Sequence, residues 1–438
     1  MWKTTIHLGF ALLFMVGGIY ACFDTSSRQI ALVDWSEVFQ TIDGFGGSVA
    51  DFQDSLTPAQ ADFFFTTSGI GLSILRTQII PDAETCNAEF QKGGCSKSNG
   101  QILNGELATA QLAAARGAVV FSTPWSPPAS FKSNGSFKNG GTLLPSRYSD
   151  WAVAIASYVS MMERNGVPIY AVSVQNEPDL TTDYGSCRFT AQEIHDFVPY
   201  LASALRSEGK GSTKIMIAEE SGWSFDLASA ALADPKVAPE IGILAAHGYR
   251  GEVGPFPSGH ARLWQSEDSS QSADYDGSMT DGVFWARKIH SILTLANVNA
   301  WIWWFLTDMP HQGEGRDNAA LTDYYGNFAK RAFVTGQWSR FVRPGWVRIG
   351  VKGSGHVLIS AFKDPSSRAF VIVAINPERE PVSQLFSLKG FTARSLSPWI
   401  TSFQLSLAPL PPVSIHGTSF TYTLPGMSVV TFSGSVSE

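Results

Sequence analysis

Val174-Gln175-Asn176-Glu177-Pro178 follows directly on the apolar run Ile169-Tyr-Ala-Val-Ser-Val174. A short continuous apolar run bounded by polar residues reads as a buried strand of a parallel sheet. The carboxamide and carboxylic acid that end it stand at a strand terminus. Further along, Ala261-Arg-Leu-Trp-Gln-Ser-Glu267 has the same form, a strand-like segment closing on a carboxylate. The chain therefore places two carboxylates at the ends of two parallel strands.

Working outward, short strand-like runs alternate with helical patterns, the order a parallel α/β barrel requires. The runs lead to Asp43-Gly-Phe-Gly-Gly47, Leu72-Ser-Ile-Leu-Arg76, Val119-Val-Phe-Ser-Thr-Pro-Trp125, Val172 to Glu177, Ile215-Met-Ile-Ala218, Leu244-Ala-Ala-His-Gly-Tyr249, Leu263 to Glu267 and Trp301-Ile-Trp-Trp304. Thr57-Pro58-Ala-Gln60 and Thr190-Ala-Gln-Glu193 carry capping-box chemistry and mark helix starts. Trp151 to Met162 has helical apolar spacing, and its aromatics and methionines read as core. After Arg343-Pro344-Gly345 the texture turns to alternating strands such as Val357–Phe362, Ala369–Ile375 and Ser428–Phe432, a β-sandwich pattern. The strand Ile30–Trp35 has no place in the barrel and is expected in that second sheet. The predicted fold is an α/β class (β/α)8 TIM barrel with a side β-sandwich. Its expected divisions are a leader at 1–21, an N-terminal strand region at 22–38, the barrel at 39–343 and the sandwich at 344–438.

At 438 residues, 44% hydrophobic and 16% charged, the chain has room for one large domain and a smaller one. A net charge of −7 without a run of five Lys or Arg argues against nucleic acid or an anionic membrane as the main ligand. Met1 to His7 carries one Lys and Leu8 to Ala21 is apolar but short, the outline of a secretory signal peptide. Cleavage after Ala21 would leave Cys22 first, so Ile19-Tyr20-Ala21-Cys22 also reads as a loose lipoprotein box and Cys22 as a candidate lipid anchor. No later segment reads as a transmembrane helix. Among the four cysteines, Cys86 and Cys95 are close enough for a local disulfide, and Cys187 has no evident partner. Neither Cys-x-x-Cys nor His-Glu-x-x-His occurs, so no metal or other cofactor is expected. A monomer is expected.

In a parallel barrel the reacting groups collect at the C-terminal ends of the strands. Glycosidic cleavage with retention needs one carboxyl to protonate the leaving oxygen and another, about 5 Å away, to attack the sugar. Glu177 fits the acid/base and Glu267 the nucleophile, because Asn176 beside Glu177 is able to hydrogen-bond a sugar 2-hydroxyl. Arg76 and Tyr249 are candidates to orient Glu267 and keep it ionised. His247 is a further rim candidate, set against an ordinary buried histidine. For stacking on sugar C–H faces the candidates are Trp125, Trp223, Trp304 and Tyr184. Strand alternation sends Trp303 the opposite way from Trp304, so Trp303, like Trp264, reads as packing.

These residues resemble glycoside hydrolase family 30. The marks run from about Gln40 to the C-terminus: Gln40-Thr-Ile-Asp-Gly-Phe-Gly-Gly47, Thr123-Pro-Trp-Ser-Pro-Pro128, Ser173-Val-Gln-Asn-Glu-Pro178, Trp264-Gln-Ser-Glu267, Phe341-Val-Arg-Pro-Gly345 and Leu424-Pro-Gly-Met-Ser-Val429. The resemblance implies a barrel with a side β-sandwich, retention of configuration, Glu177 as acid/base and Glu267 as nucleophile. Ile169 to Asp179 and Gly336 to Arg348 look most like the xylanases of the family, implying a secreted endo-acting enzyme on the β-1,4-xylan backbone. Other branches act on β-1,6-glucan, β-1,6-galactan or glucosylceramide. Glucuronate-dependent members carry an arginine just after the eighth strand. Here the segment reads Trp304-Phe-Leu-Thr-Asp-Met-Pro-His-Gln-Gly-Glu-Gly-Arg316: no arginine follows the strand directly. Arg316 reads first as an ordinary surface charge and only second as a residue reaching the same place, so the resemblance does not imply dependence on a glucuronosyl side chain. Two readings of another class stand against these: an inactive carbohydrate-binding barrel, and a serine or metal-dependent hydrolase, for which no Gly-x-Ser-x-Gly elbow is present.

Overall fold

The computed structural model describes residues 30–81, 97–272, 274–308 and 318–437. The leader with Cys22, the Cys86–Cys95 pair and Arg316 lie outside them. Among the described residues no helix is long and apolar enough to cross a membrane, and Cys187 is a buried free thiol.

The first strand, β1 (Ile30–Thr41), precedes the barrel. Eight parallel strands then close on themselves: β2 (Gly44–Ser48), β3 (Ile74–Ile79), β4 (Val119–Pro124), β5 (Ile169–Ser173), β6 (Lys214–Glu220), β7 (Ile241–His247), β8 (Arg262–Asp268) and β9 (Ala300–Phe305). The strands are short and apolar because both faces are covered. Inside, Ile74, Phe121, Met216, Ile243, Trp264 and Ile302 form the plug. Trp264 is its largest member: it stacks on Tyr170 at 5.9 Å, and its indole N–H donates to Asp43 Oδ2 at 2.8 Å. Room for this plug comes from the glycines of β2. A Cβ on Gly46 would sit 2.5 Å from the Ile74 carbonyl oxygen, closer than any side chain tolerates.

The main helices outside the barrel are α1 (Pro58–Phe65), α2 (Lys97–Ala114), α3 (Tyr148–Arg164), α4 (Ala191–Ser207), α5 (Ser229–Ala233), α6 (Met279–Leu295) and α7 (Lys330–Ser339). Both expected capping boxes form: Thr57 with Gln60 opens α1 and Thr190 with Glu193 opens α4.

The C-terminal strands are β10 (Val347–Lys352), β11 (Leu358–Lys363), β12 (Ala369–Asn376), β13 (Val382–Lys389), β14 (Ser395–Thr401), β15 (Ala408–Pro409), β16 (Val413–Ser414), β17 (Ser419–Leu424) and β18 (Ser428–Ser435). With β1 they make a ten-stranded, mostly antiparallel sheet, in which β1 lies between β10 and β13. The sheet curls over its own apolar face. Phe386 of β13 and Phe420 of β17 stack at 4.5 Å, and both touch Phe432 of β18, at 5.5 and 5.4 Å. Strand β1 and the strands after the barrel are thus built into one layer against it.

Helix α7 seals the junction. Gln337 donates to Thr401 Oγ1 at 2.8 Å, its carbonyl accepts from Thr431 Oγ1 at 2.7 Å, and fully buried Trp338 donates to Ser360 Oγ at 3.2 Å. Truncating a buried Trp costs about 3–5 kcal/mol. Trp338→Ala is expected to lower stability by that amount in denaturant titration while barrel and side sheet still unfold in one transition. Two separated transitions in the wild-type protein would contradict a tightly coupled junction.

Candidate active site

The C-terminal ends of the barrel strands converge on one polar cluster above the Trp264 plug. From β3 comes Arg76, from β4 Thr123 and then Trp125, and from the segment after β5 Asn176 and Glu177. Glu219 of β6, His247 at the end of β7, Tyr249 just beyond it, Glu267 of β8 and Trp304 of β9 complete the ring. Trp125, Asn176, Glu177, Tyr249, Glu267 and Trp304 line a cleft of about 400 Å³.

Arg76 is the hub. Its side chain is fully buried; Nη1 donates to Glu267 Oε2, and Nη2 donates to Asn176 Oδ1 at 2.7 Å and to Glu219 Oε1 at 3.0 Å. Burial alone would weaken a guanidinium's hold on its proton, but the charges of Glu219 and Glu267 outweigh it and hold Arg76 charged. Tyr249 donates to the other oxygen of Glu267 at 2.8 Å. Glu267 is therefore held at both oxygens. Asn176 has its amide oxygen committed to Arg76, which leaves its amino group for a ligand.

Glu177 is fixed differently. Its Oε2 accepts from the Tyr184 phenol at 2.7 Å, and its Oε1 lies 3.3 Å from His247 Nδ1. Its backbone sits at φ 43°, in the left-handed region that a non-glycine residue occupies only where its surroundings impose it. Here the imposition is visible: Asn176 N donates to the Pro124 carbonyl at 2.9 Å and Glu177 N to the Glu219 carbonyl at 3.1 Å. The segment after β5 is stitched to the ends of β4 and β6.

His247 is fully buried, with Nε2 3.7 Å from both Glu219 Oε1 and Glu267 Oε2. Burial favours the neutral ring, yet Glu267, Glu177 and Glu219 together push its pKa up to about 10, which favours the imidazolium at neutral pH. Burial would likewise raise Glu177, but the His247 hydrogen bond and charge, then the Tyr184 phenol and Arg76, hold it below the usual carboxylate range. Oxygens of Glu177 and Glu267 and a nitrogen of His247 lie within 4.8 Å of one another. Such a triad has metal-like spacing. Both oxygens of Glu267 are already engaged, by the Arg76 guanidinium and the Tyr249 hydroxyl.

Trp125 and Trp304 wall the cleft with ring centroids 5.8 Å apart, each over Arg76, at 4.8 and 5.5 Å. Gln175 Nε2 holds the Trp125 carbonyl at 2.7 Å. Trp303 turns the other way and donates to the Ala319 carbonyl at 2.7 Å, a packing residue like Trp264. Trp223 does not join the cleft. Its indole donates to the Gly254 carbonyl at 2.9 Å and packs edge-on against Phe225. Strand β6 runs two residues past Ala218 to Glu219-Glu220, and the strand-end rule that selects Glu177 and Glu267 selects Glu219 as well.

The chain is similar to known proteins over most of its length. The chain is 31% identical to the glycoside hydrolase family 30 subfamily 8 xylanase Xyn30A from Clostridium acetobutylicum, over 93% of this chain and 99% of that one, with a TM-score of 0.81. This chain belongs to glycoside hydrolase family 30. Residues 98–273 match the glycosyl hydrolase family 30 TIM-barrel domain. Glucuronoxylanase XynC of Bacillus subtilis strain 168 is 29% identical over 411 residues, 90% of this chain and 89% of its own. Lysosomal acid glucosylceramidase of Mus musculus is 25% identical over 398 residues, 78% of this chain and 76% of that enzyme. The protein is a family 30 glycoside hydrolase.

A hydrogen bond donated to a carboxylate stabilises its charged form. Tyr184→Phe removes the phenol from Glu177 Oε2 and is expected to move the Glu177 titration to higher pH, read by carboxyl ¹³C NMR of the free enzyme. An unchanged midpoint would show that Tyr184 is not a determinant of the Glu177 charge.

Proposed function

We propose that this family 30 enzyme cleaves internal β-1,4 linkages of a xylan backbone with retention of configuration, Glu267 attacking the anomeric carbon and Glu177 serving as acid and then base. The observation that carries this reading is the pair of carboxyls at the C-terminal ends of β5 and β8, which face each other across the barrel mouth with oxygens within 4.8 Å of each other. That closeness suits direct attack by one carboxylate; an inverting pair needs a wider gap, about 6.5–9.5 Å, to admit a water between. The full-length likeness to Xyn30A and XynC supports xylan as the substrate.

The partners of each carboxyl fit the two roles. Arg76 and Tyr249 engage both oxygens of Glu267 and hold it for attack. Glu177 has its Oε2 covered by the Tyr184 hydroxyl, the atom that a glycosidic oxygen has to replace. Seating the sugar therefore displaces the phenol and removes water. Both changes favour the protonated acid at the moment it is needed. Trp125 and Trp304 offer faces for sugar stacking. The apolar leader before Cys22 supports export, with the protein free or lipid-anchored outside the cell.

Glu267→Ala is expected to reduce oligosaccharide release from xylan to background. Glu177→Ala should lower kcat on xylan by roughly 10²–10⁴-fold, and affect an activated aryl xyloside much less, because that leaving group needs little protonation. Equal losses on both substrates would contradict the acid role. Mass spectrometry of products from glucuronoxylan, undecorated xylan and β-1,6-glucan checks the substrate: cleavage of the β-1,6-glucan alone would overturn it.

A further inference from the structure

Glu219 is a third carboxylate in the cluster, wholly buried, and the two-carboxylate mechanism has no use for it. Burying an ionised carboxylate is costly unless it is paired and hydrogen-bonded. Its partners explain how it is tolerated. Arg76 Nη2 donates to Oε1 at 3.0 Å, Thr123 Oγ1 lies 3.2 Å from Oε2, and His247 Nε2 lies 3.7 Å from Oε1. The backbone at Glu219 has φ 53°, and at Ala218 φ 69°. Two successive non-glycine residues in the left-handed region are held at the end of β6, and this turn is what brings the Glu219 side chain under the cluster and its carbonyl to Glu177 N, 3.1 Å away.

Each of the two cations at Glu219 reaches on to one of the proposed reacting carboxylates. Arg76 spans from Glu219 to Glu267, and His247 spans from Glu219, 3.7 Å away, to Glu177, 3.3 Å away. The groups facing the His247 ring are Glu219 from β6, Glu177 from the segment after β5 and Glu267 from β8, with the Tyr249 ring edge-on at 5.9 Å. The neighbouring Asp268 is neutralised separately by Lys288 of α6, at 2.6 Å. Three carboxylates against two cations leave the cluster one unit negative. Substituting the Glu219 charge by an isosteric amide lets the cluster keep that same balance by releasing the proton of His247.

We propose that Glu219 is a positioning residue, the common anchor through which Arg76 is aimed at Glu267 and His247 is held against Glu177. The proposal rests on the assignment of Glu177 and Glu267 above. Glu219 touches no part of the cleft surface and meets substrate only through the two cations.

The test is Glu219→Gln, which keeps volume and the acceptor for Thr123 while removing the charge. Misplacing reacting groups by about 1 Å costs on the order of a hundredfold in rate. We expect kcat on xylan to fall by about that factor with KM within about twofold of wild type, and the His247 ring, followed by ¹⁵N NMR, to titrate at least about one pH unit lower than in the wild type. Wild-type kcat, or a lowered kcat with an unshifted His247 titration, would overturn the anchoring role. Should Glu219→Gln not fold, the wild-type ring decides: imidazolium at pH 7 supports the anchor, and neutral imidazole overturns it. None of these readings depends on Glu267→Ala losing activity, so failure of the carboxylate assignment shows separately, as an active Glu267→Ala.

Discussion

A guanidinium buried without solvent access is the constraint on which the rest of this site depends. Arg76 has no exposed surface, and its charge is tolerable only because carboxylates surround it. That requirement fixes the neighbours. Glu219 and Glu267 have to approach from β6 and β8 on the far side of the barrel, and the barrel has to close for them to do so. Once Arg76 is set, Asn176 is set with it, through the 2.7 Å bond to its amide oxygen, and the adjacent Glu177 follows. The charge pattern and the closed sheet are two aspects of one arrangement.

Below this polar layer lies an apolar one. Trp264, Phe121 and Ile302 fill the barrel and keep water from the underside of the cluster. The low dielectric that results strengthens every interaction above it and makes each unpaired charge expensive. The charges of Glu267, Glu177 and Glu219 accordingly raise the His247 pKa despite its burial. The side sheet contributes at a distance: it takes β1 between β10 and β13, so the strand leading into the barrel is fixed before β2 begins.

Much of this was legible in the chain itself, for physical reasons. Parallel strands buried on both faces are short and apolar, so the eight runs stand out, and carboxylates that end them at Glu177 and Glu267 are conspicuous because charge is otherwise excluded there. Strand alternation separated Trp304 from Trp303 correctly. Glu219 was missed because Glu219-Glu220 looks like the polar start of a loop, and the paired left-handed residues that turn it inward have no glycine to betray them. Trp223 was taken for a cleft residue because loop tryptophans favour sugars in general. Its actual partners are Phe225, two residues along its own loop, and Gly254 of the loop after β7, whose path no local pattern encodes. Tyr184 had the right chemistry for stacking, but its hydrogen bond to Glu177 arises from the fold of the segment between β5 and α4.

The most direct measurement of the central claim is to trap the covalent intermediate. A 2-deoxy-2-fluoro xylobioside with an activated leaving group destabilises the second, deglycosylating transition state more than it hinders the first step on so good a leaving group, so the glycosyl-enzyme accumulates. Peptide mass spectrometry should find one added disaccharide, on Glu267 alone. An adduct on Glu177 or Glu219, or turnover to an inverted product without any adduct, would contradict the account.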